Sequence, residues 1–253
     1  MSTTTVRSVV LTFAAALFCW ACMVSAEEGR TPRSTLVVGI DVSGSFRQHY
    51  DDAIDFAAHY LYGHINGLGE LRTPSAVFVG SVGGEHPGEA KSFQPVHTFR
   101  DKTVDEIADL LRELYPPEDS YTDFNVFFDR VATLVKRQGL ILAPLEVVLL
   151  TDGVNDVRAT GKPSRDPYRQ IDVGPLEYLS RNVTVRLLYA SPTVAVNWER
   201  TVPRKRVRMW TVDAPVMSGW QEQVGSDRSI DGGQDLWKWI KDNVDFRVRS
   251  RRL

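Results

Sequence analysis

Leu36–Val37–Val38–Gly39–Ile40–Asp41–Val42–Ser43–Gly44–Ser45 is an apolar run that stops on an acid and two hydroxyls. A short continuous apolar run bounded by turn residues reads as a central parallel strand covered on both faces. Open parallel sheets bind ligands outside the carboxyl ends of their strands. Asp41, Ser43 and Ser45 therefore stand where an α/β sheet places its chemistry. They offer one carboxylate and two hydroxyls on a tight turn, without nitrogen or sulfur. Such an all-oxygen set suits a hard cation such as Mg²⁺.

Outward from this stretch, strands alternate with helical patterns. Phe46 to Gly63 carries Ile54, Ala57, Ala58 and Leu61 at helical spacing, with Gly63 as a stop. Ala76–Val82 reads as a second strand and Val96–Phe99 as a short edge strand. Thr103 to Leu114 is a helix whose Thr103 and Glu106 fit a capping box. Pro116 and Pro117 end it, and the polar loop Glu118–Asp123 feeds a helix from Phe124 to Arg137. Leu145–Leu150 followed by Thr151–Asp152–Gly153 is the second strand that ends on an acid. A long polar loop, Val154 to Val173, comes next. Leu176–Ser180 reads as a short helix, Val183–Tyr189 and Val207–Val212 as strands, and Leu236, Trp237, Trp239 and Ile240 as part of a closing helix. The expectation is one α/β domain. It has a doubly wound, mainly parallel central sheet, Rossmann-like, with helices on both faces and one short antiparallel edge strand.

If both acid-terminated strands are central, Asp41, Ser43, Ser45, Thr122 and Asp152 converge on one edge of the sheet. Two carboxylates and three hydroxyls, completed by water, suit an octahedral Mg²⁺ site. This pattern resembles the metal-ion-dependent adhesion site (MIDAS) of von Willebrand factor type A (VWA) domains. That family carries Asp-x-Ser-x-Ser, a distant threonine, and a later aspartate often within Thr-Asp-Gly. Here the matching residues are Asp41, Ser43 and Ser45, then Thr122, then Thr151–Asp152–Gly153. The threonine motif departs from the family's usual preceding glycine, since Ser120–Tyr121 stands there; Thr133 is the alternative, deep in a helix. The resemblance implies that Ser43, Ser45 and Thr122 hold Mg²⁺, Mn²⁺ or Ca²⁺ directly or through water, with Asp41 and Asp152 acting largely through water. It also implies an open metal position filled by a Glu or Asp from a protein partner. The implied role is non-catalytic binding in the manner of cell adhesion.

The bulk properties are compatible with that reading. The 253 residues carry a formal net charge of −2, with 25% charged and 43% hydrophobic residues, which gives no reason to expect nucleic-acid binding. Residues 1–26 have one charged residue, Arg7, and an almost wholly apolar run from Val9 to Val24 that closes on Ser25–Ala26. This reads as a secretory signal peptide cleaved after Ala26, with an uncleaved membrane anchor or a lipoprotein at Cys22 as alternatives. Both cysteines, Cys19 and Cys22, lie in this segment, so cleavage leaves no thiol for disulfide, metal or nucleophile. The domain plan is then a 27–33 linker, the domain proper over 34–243 and a basic 244–253 tail. The protein is expected outside the cytoplasm (periplasmic, secreted or on the cell surface).

Other features fit blander readings. Arg158, Lys162, Arg165 and Arg169 follow Asp152 and form either a solvated loop or a cationic rim that attracts an acidic partner. Arg200, Arg204, Lys205 and Arg206 beside Trp198 read as a solvated connector. His49, His59, His64, His86 and His97 are scattered and read as structural or surface residues. Competing functions are a metal-dependent hydrolase of phosphoester type and a structural subunit of an envelope assembly with a vestigial metal site. Against the first, Ser43 stands where an aspartate-nucleophile phosphatase has a second acid. No Gly-x-Ser-x-Gly elbow or His-Glu-x-x-His motif is present either.

Overall fold

Six consecutive residues, Thr35–Ile40, are buried on both sides, which is what the opening apolar run requires of a central strand. This strand, β1, belongs to a computed structural model that describes residues 34–84, 92–118, 121–155, 166–224 and 233–246. The expected signal peptide and linker, residues 247–253 of the expected basic tail, and the loop cations Arg158, Lys162 and Arg165 lie outside the described residues.

The strands that follow are β2 (Ala76–Ser81), β3 (Gly83–Gly84), β4 (Gln94–Pro95), β5 (Tyr121–Thr122), β6 (Leu145–Leu150), β7 (Val183–Ala190) and β8 (Arg208–Asp213). Among the described residues they form a six-stranded sheet of order β4-β2-β1-β6-β7-β8 and a two-stranded pair, β3-β5. β1 runs parallel to both β2 and β6, and β6, β7 and β8 continue in parallel. Only β4 is antiparallel within the larger sheet, against β2. The chain leaves β1 toward β2 on one side and later returns through β6 on the other. The β1/β6 boundary is thus the switch point of a doubly wound sheet.

Side chains alternate between two apolar cores. Leu36, Val38 and Ile40 of β1, with Val148 and Leu150 of β6, join the core beneath α1 (Arg47–Asn66), α2 (Val104–Leu114) and the closing helix. Val37 and, from β6, Leu145, Val147 and Leu149 join the opposite core with α3 (Phe124–Arg137). The remaining helices are α4 (Gly174–Glu177), α5 (Pro192–Thr201), α6 (Ala214–Met217) and α7 (Gln234–Asn243). Gly39 on the α3 face carries no side chain for a steric reason. A Cβ there would come within 2.7 Å of both Leu149 and Phe127.

Several boundaries differ from expectation. α1 runs on through Gly63, which is buried against Leu71 and Trp237, and ends at Gly67 in the left-handed region (φ 63°). Gly63 is a packing glycine, and its apolar neighbours carry the helix another turn. The antiparallel edge strand is Gln94–Pro95, while Val96–Thr98 is a 3₁₀ turn. Pro95 lacks the N–H needed to extend the ladder, so pairing stops there. The short helix is Gly174–Glu177, started by Pro175, rather than Leu176–Ser180. Helix α5 was not foreseen, although Ser191 caps it by accepting from the Val194 N–H and Pro192 opens it. The capping box of α2 is present as read, with Thr103 and Glu106 bonded reciprocally.

Candidate metal centre

Asp41 follows β1 and Thr151 follows β6, and because Ile40 pairs with Leu150 the two are neighbours on the carboxyl edge. Asp41 is fully buried. Its Oδ2 accepts a hydrogen bond from Thr151 Oγ1 at 2.6 Å. Its Oδ1 accepts from the Ser43 N–H at 3.0 Å and from Thr122 Oγ1 at 3.4 Å. The first of these bonds folds the chain back after β1 and turns Ser43 and Ser45 toward each other, with their Oγ atoms 3.2 Å apart. Ser43 and Thr122 are buried, and Ser45 is exposed.

Thr122 arrives by a separate route. Val82 continues β2 by donating its N–H to Ile40 O, and the chain then pairs through Gly83 with Thr122 and through Gly84 with Tyr121. Gly83 is obligatory, because a Cβ there would lie 2.4 Å from the Tyr121 carbonyl oxygen. Asp123 next caps α3 by accepting from the Val126 N–H. Thr122 is therefore clamped between a two-residue strand and a helix start. Thr133 lies within α3, away from this edge.

Asp152 sits on the same edge, half-buried, with Oδ1 accepting from the Val154 N–H at 2.9 Å. Its turn is held from both sides. The Gly153 N–H donates to Thr151 Oγ1 at 2.9 Å, and Gly153 O accepts from the fully buried Trp198 Nε1 at 2.7 Å. Gly153 has φ 75°, and a Cβ would meet Val194 and Trp198 within 3.0 Å. Two contributors were not singled out from sequence. Thr151 was visible in Thr-Asp-Gly, but nothing in one strand says that its hydroxyl reaches a carboxylate on another. Trp198 stood in a stretch read as a connector, whereas it anchors the Asp152 turn through α5.

The electrostatics of the cluster are unbalanced. Burial pushes the Asp41 carboxyl up to about 6, against the hydrogen bonds from Thr151 and Ser43, and the nearby Asp152 charge pushes the same way. Among the described residues, no basic side chain forms an ion pair with Asp41 or Asp152. Two acids, one of them buried, thus share a site whose remaining donors are neutral hydroxyls. A divalent cation fits this set. Neighbouring ligands of an octahedral Mg²⁺, each at about 2.1 Å, stand about 3 Å apart. The separation of the Ser43 and Ser45 hydroxyls matches that spacing. Among the described residues there is no cluster of three or more His, Cys, Asp or Glu side chains arranged to hold a metal, so no competing site of that type is present.

Strand order and helices on both faces define a doubly wound α/β fold, with the acid and hydroxyl cluster on the carboxyl edge of its sheet. No family model and no curated protein matches the sequence. Among solved structures, the chain is similar to the pilus adhesin SpaC from Lactobacillus rhamnosus GG, with 15% identity over 83% of this chain and a TM-score of 0.49. It spans only 30% of that adhesin's length. It is also similar to the SpRpn10 VWA domain, with 13% identity over 72% of this chain and 89% of that one, TM-score 0.40. Manganese-loaded TRAP protein of Plasmodium vivax is a third, with 15% identity over 73% of this chain and 70% of that one, TM-score 0.44. These similarities concern the fold.

Proposed function

We propose that the chain is a non-catalytic module that binds a protein partner through a divalent cation held by Ser43, Ser45 and Thr122, with Asp41 and Asp152 behind them. The observation that carries this reading is the buried Asp41 carboxylate, tied to Thr151, Thr122 and the Ser43 N–H and left without a basic partner among the described residues. Thr151 and the Ser43 N–H hold the carboxylate in one orientation. Thr122 ties the β5 turn to it, and the buried Ser43 hydroxyl pairs with that of the exposed Ser45. The cation, when bound, supplies an electrophilic position for a carboxylate of the partner. The hydroxyl bonded most closely to the Asp41 carboxylate, that of Thr151, is fully buried and also accepts from the Gly153 N–H, so it is not presented to a substrate, which favours binding over hydrolysis. The proposal includes export, with Val9–Val24 as a signal or an anchor.

Calorimetric titration with Mg²⁺ and Mn²⁺ tests the site, and partner capture with and without chelator tests the function. Wild type should take up one cation, and Asp41→Ala should not. Capture that survives both chelation and Asp41→Ala sinks the metal-dependent reading. Phosphoester turnover abolished by Asp41→Asn would reassign the site to catalysis.

A further inference from the structure

The edge of the sheet opposite the metal centre presents apolar side chains among cations. Leu142 is 76% exposed and Tyr178 is 72% exposed, with Ile141 half-exposed beside them. Their contiguity is fixed by hydrogen bonds. The Leu142 N–H donates to Leu179 O at 2.7 Å, and Leu140 N–H reaches back to Val135 O at the end of α3. Leu142 holds φ 75°, a region uncommon for non-glycine residues. The backbone thus carries strain at a position that projects a large apolar side chain into water. Both features cost folding free energy, and such costs persist where a surface has a use.

Cations surround the three. Lys136 and Arg137 end α3, Arg181 follows Tyr178 by three residues, and Lys205 and Arg206 lie alongside, all five exposed. Glu177 offsets one of these charges and leaves an excess of cations. It is buried, and its two carboxylate oxygens accept the backbone N–H groups of Lys205 and Arg206 at 2.5 and 2.8 Å. Arg208 adds a further guanidinium, bonded to Asn182 Oδ1 at 3.4 Å.

The chain also reaches the domain on this edge. Thr35 N–H donates to Pro144 O, two residues from Leu142, and Ser34 O accepts from Ser75 N–H. Upstream in sequence lie nine residues and then the apolar run Val9–Val24.

We infer that the Ile141–Leu142–Tyr178 edge, with its ring of Lys and Arg, docks on the surface of a bilayer rich in anionic phospholipid. An aromatic with a polar tip and two aliphatics suits the boundary between headgroups and acyl chains, and clustered cations suit an anionic leaflet. The candidate metal centre, at the carboxyl ends of the strands, then faces away from the bilayer and toward a partner. The Arg200–Arg206 stretch, read from sequence as a connector, becomes part of a contact.

The test uses the full chain with vesicles of phosphatidylglycerol and phosphatidylcholine, and with vesicles of phosphatidylcholine alone. Backbone amide exchange is read over 139–144 and 177–182. Exchange there should slow several-fold on anionic vesicles only, recover with added salt, and leave 41–45 and 151–155 unchanged. Leu142→Asp with Tyr178→Asp, and separately Lys205→Glu with Arg206→Glu, should abolish the slowing while keeping the wild-type melting temperature. Loss of each cation should weaken the anionic-lipid preference about fivefold. Equal exchange on both vesicle types, or protection that persists in both double variants, overturns the inference. So does protection conferred by nucleic acid or an acidic polypeptide but not by vesicles, which would assign the edge to those partners.

Discussion

Asp41 concentrates the cost of the site in one side chain. Its folded pKa of about 6 lies above the unfolded value of 3.8 because burial disfavours the anion. For an acid shifted upward, the stabilising contribution exists below pH 3.8 and is lost as pH rises through about 6. Above that, the ionised group costs about 3 kcal/mol in the metal-free chain. A bound cation reverses this cost, so Mg²⁺ should raise the melting temperature more at pH 7.5 than at pH 5.5. Equal shifts at both pH values would rule out Asp41 as the group through which the metal acts. Thr151→Val keeps the side-chain shape but removes the 2.6 Å donation to Asp41 and the acceptor of the Gly153 N–H. Denaturant unfolding in chelator should show a loss of about 1–3 kcal/mol at neutral pH. The loss should shrink below about pH 6, where a protonated Asp41 needs that donor less. A penalty independent of pH would mean that Thr151 acts only through Gly153. The acids and serines of this cluster were legible because they interrupt an apolar run. Thr151 was not, because a threonine at a strand end has many local uses and its partner sits 110 residues away.

At the scale of the element, the strands were readable and the connections less so. β1 is apolar after Thr35, and β6 is apolar but for the half-buried Glu146, the composition expected of strands covered on both faces. β5 is two residues long and exists because Gly83 lets another backbone approach, so no periodicity in the sequence could announce it. Gly83→Ala should therefore push Tyr121–Thr122 off the carboxyl edge. Overpacking against backbone costs about 1–3 kcal/mol, and cation affinity should fall with it in a calorimetric titration. Unchanged affinity would show that Thr122 contributes nothing. Helix α5 has the opposite history. Its cap, Ser191–Pro192, was legible, but its apolar stripe is thin, with Ala195 and Trp198 its buried residues. Trp198→Phe keeps an aromatic against Phe124 while leaving Gly153 O without its donor. The expected result is a loss of about 1–3 kcal/mol with weakened cation binding, both read on one sample by melting with and without Mg²⁺.

For the whole molecule, the feature invisible in sequence is a buried polar network that ties the first helix to the end of the described chain. His64, one of the histidines read as structural or surface residues, is buried near the end of α1, and its Nδ1 lies 2.7 Å from the Arg72 carbonyl oxygen. A carbonyl only accepts, so Nδ1 carries the proton. Its Nε2 lies 2.9 Å from Asp245 Oδ2, and Tyr60 donates to Asp245 Oδ1 at 2.8 Å. An imidazolium facing a carboxylate satisfies every partner. Burial opposes the charge on His64, but the Asp245 carboxylate and the Arg72 carbonyl carry its pKa above the ordinary value. Burial likewise opposes ionisation of Asp245, but His64, Arg186 and the Tyr60 hydroxyl hold its pKa below the ordinary value. The two signs define a window. The histidine contribution is complete below pH 6.5 and is lost as pH rises through the higher folded value. The aspartate contribution is complete above pH 3.8 and is lost as pH falls through the lower folded value. The latch is thus strongest between those two unfolded values and weakens toward alkaline pH. His64→Gln leaves Asp245 beside Arg186 but removes the cation, and breaking such a pair costs about 3–5 kcal/mol. Urea unfolding of wild type and variant across pH 5 to 9 isolates the effect. Asp41 titrates in both proteins, so its contribution cancels in the difference. That difference should be largest near pH 6 and decline steadily at higher pH, whereas a constant difference would mean that His64 packs as a neutral ring.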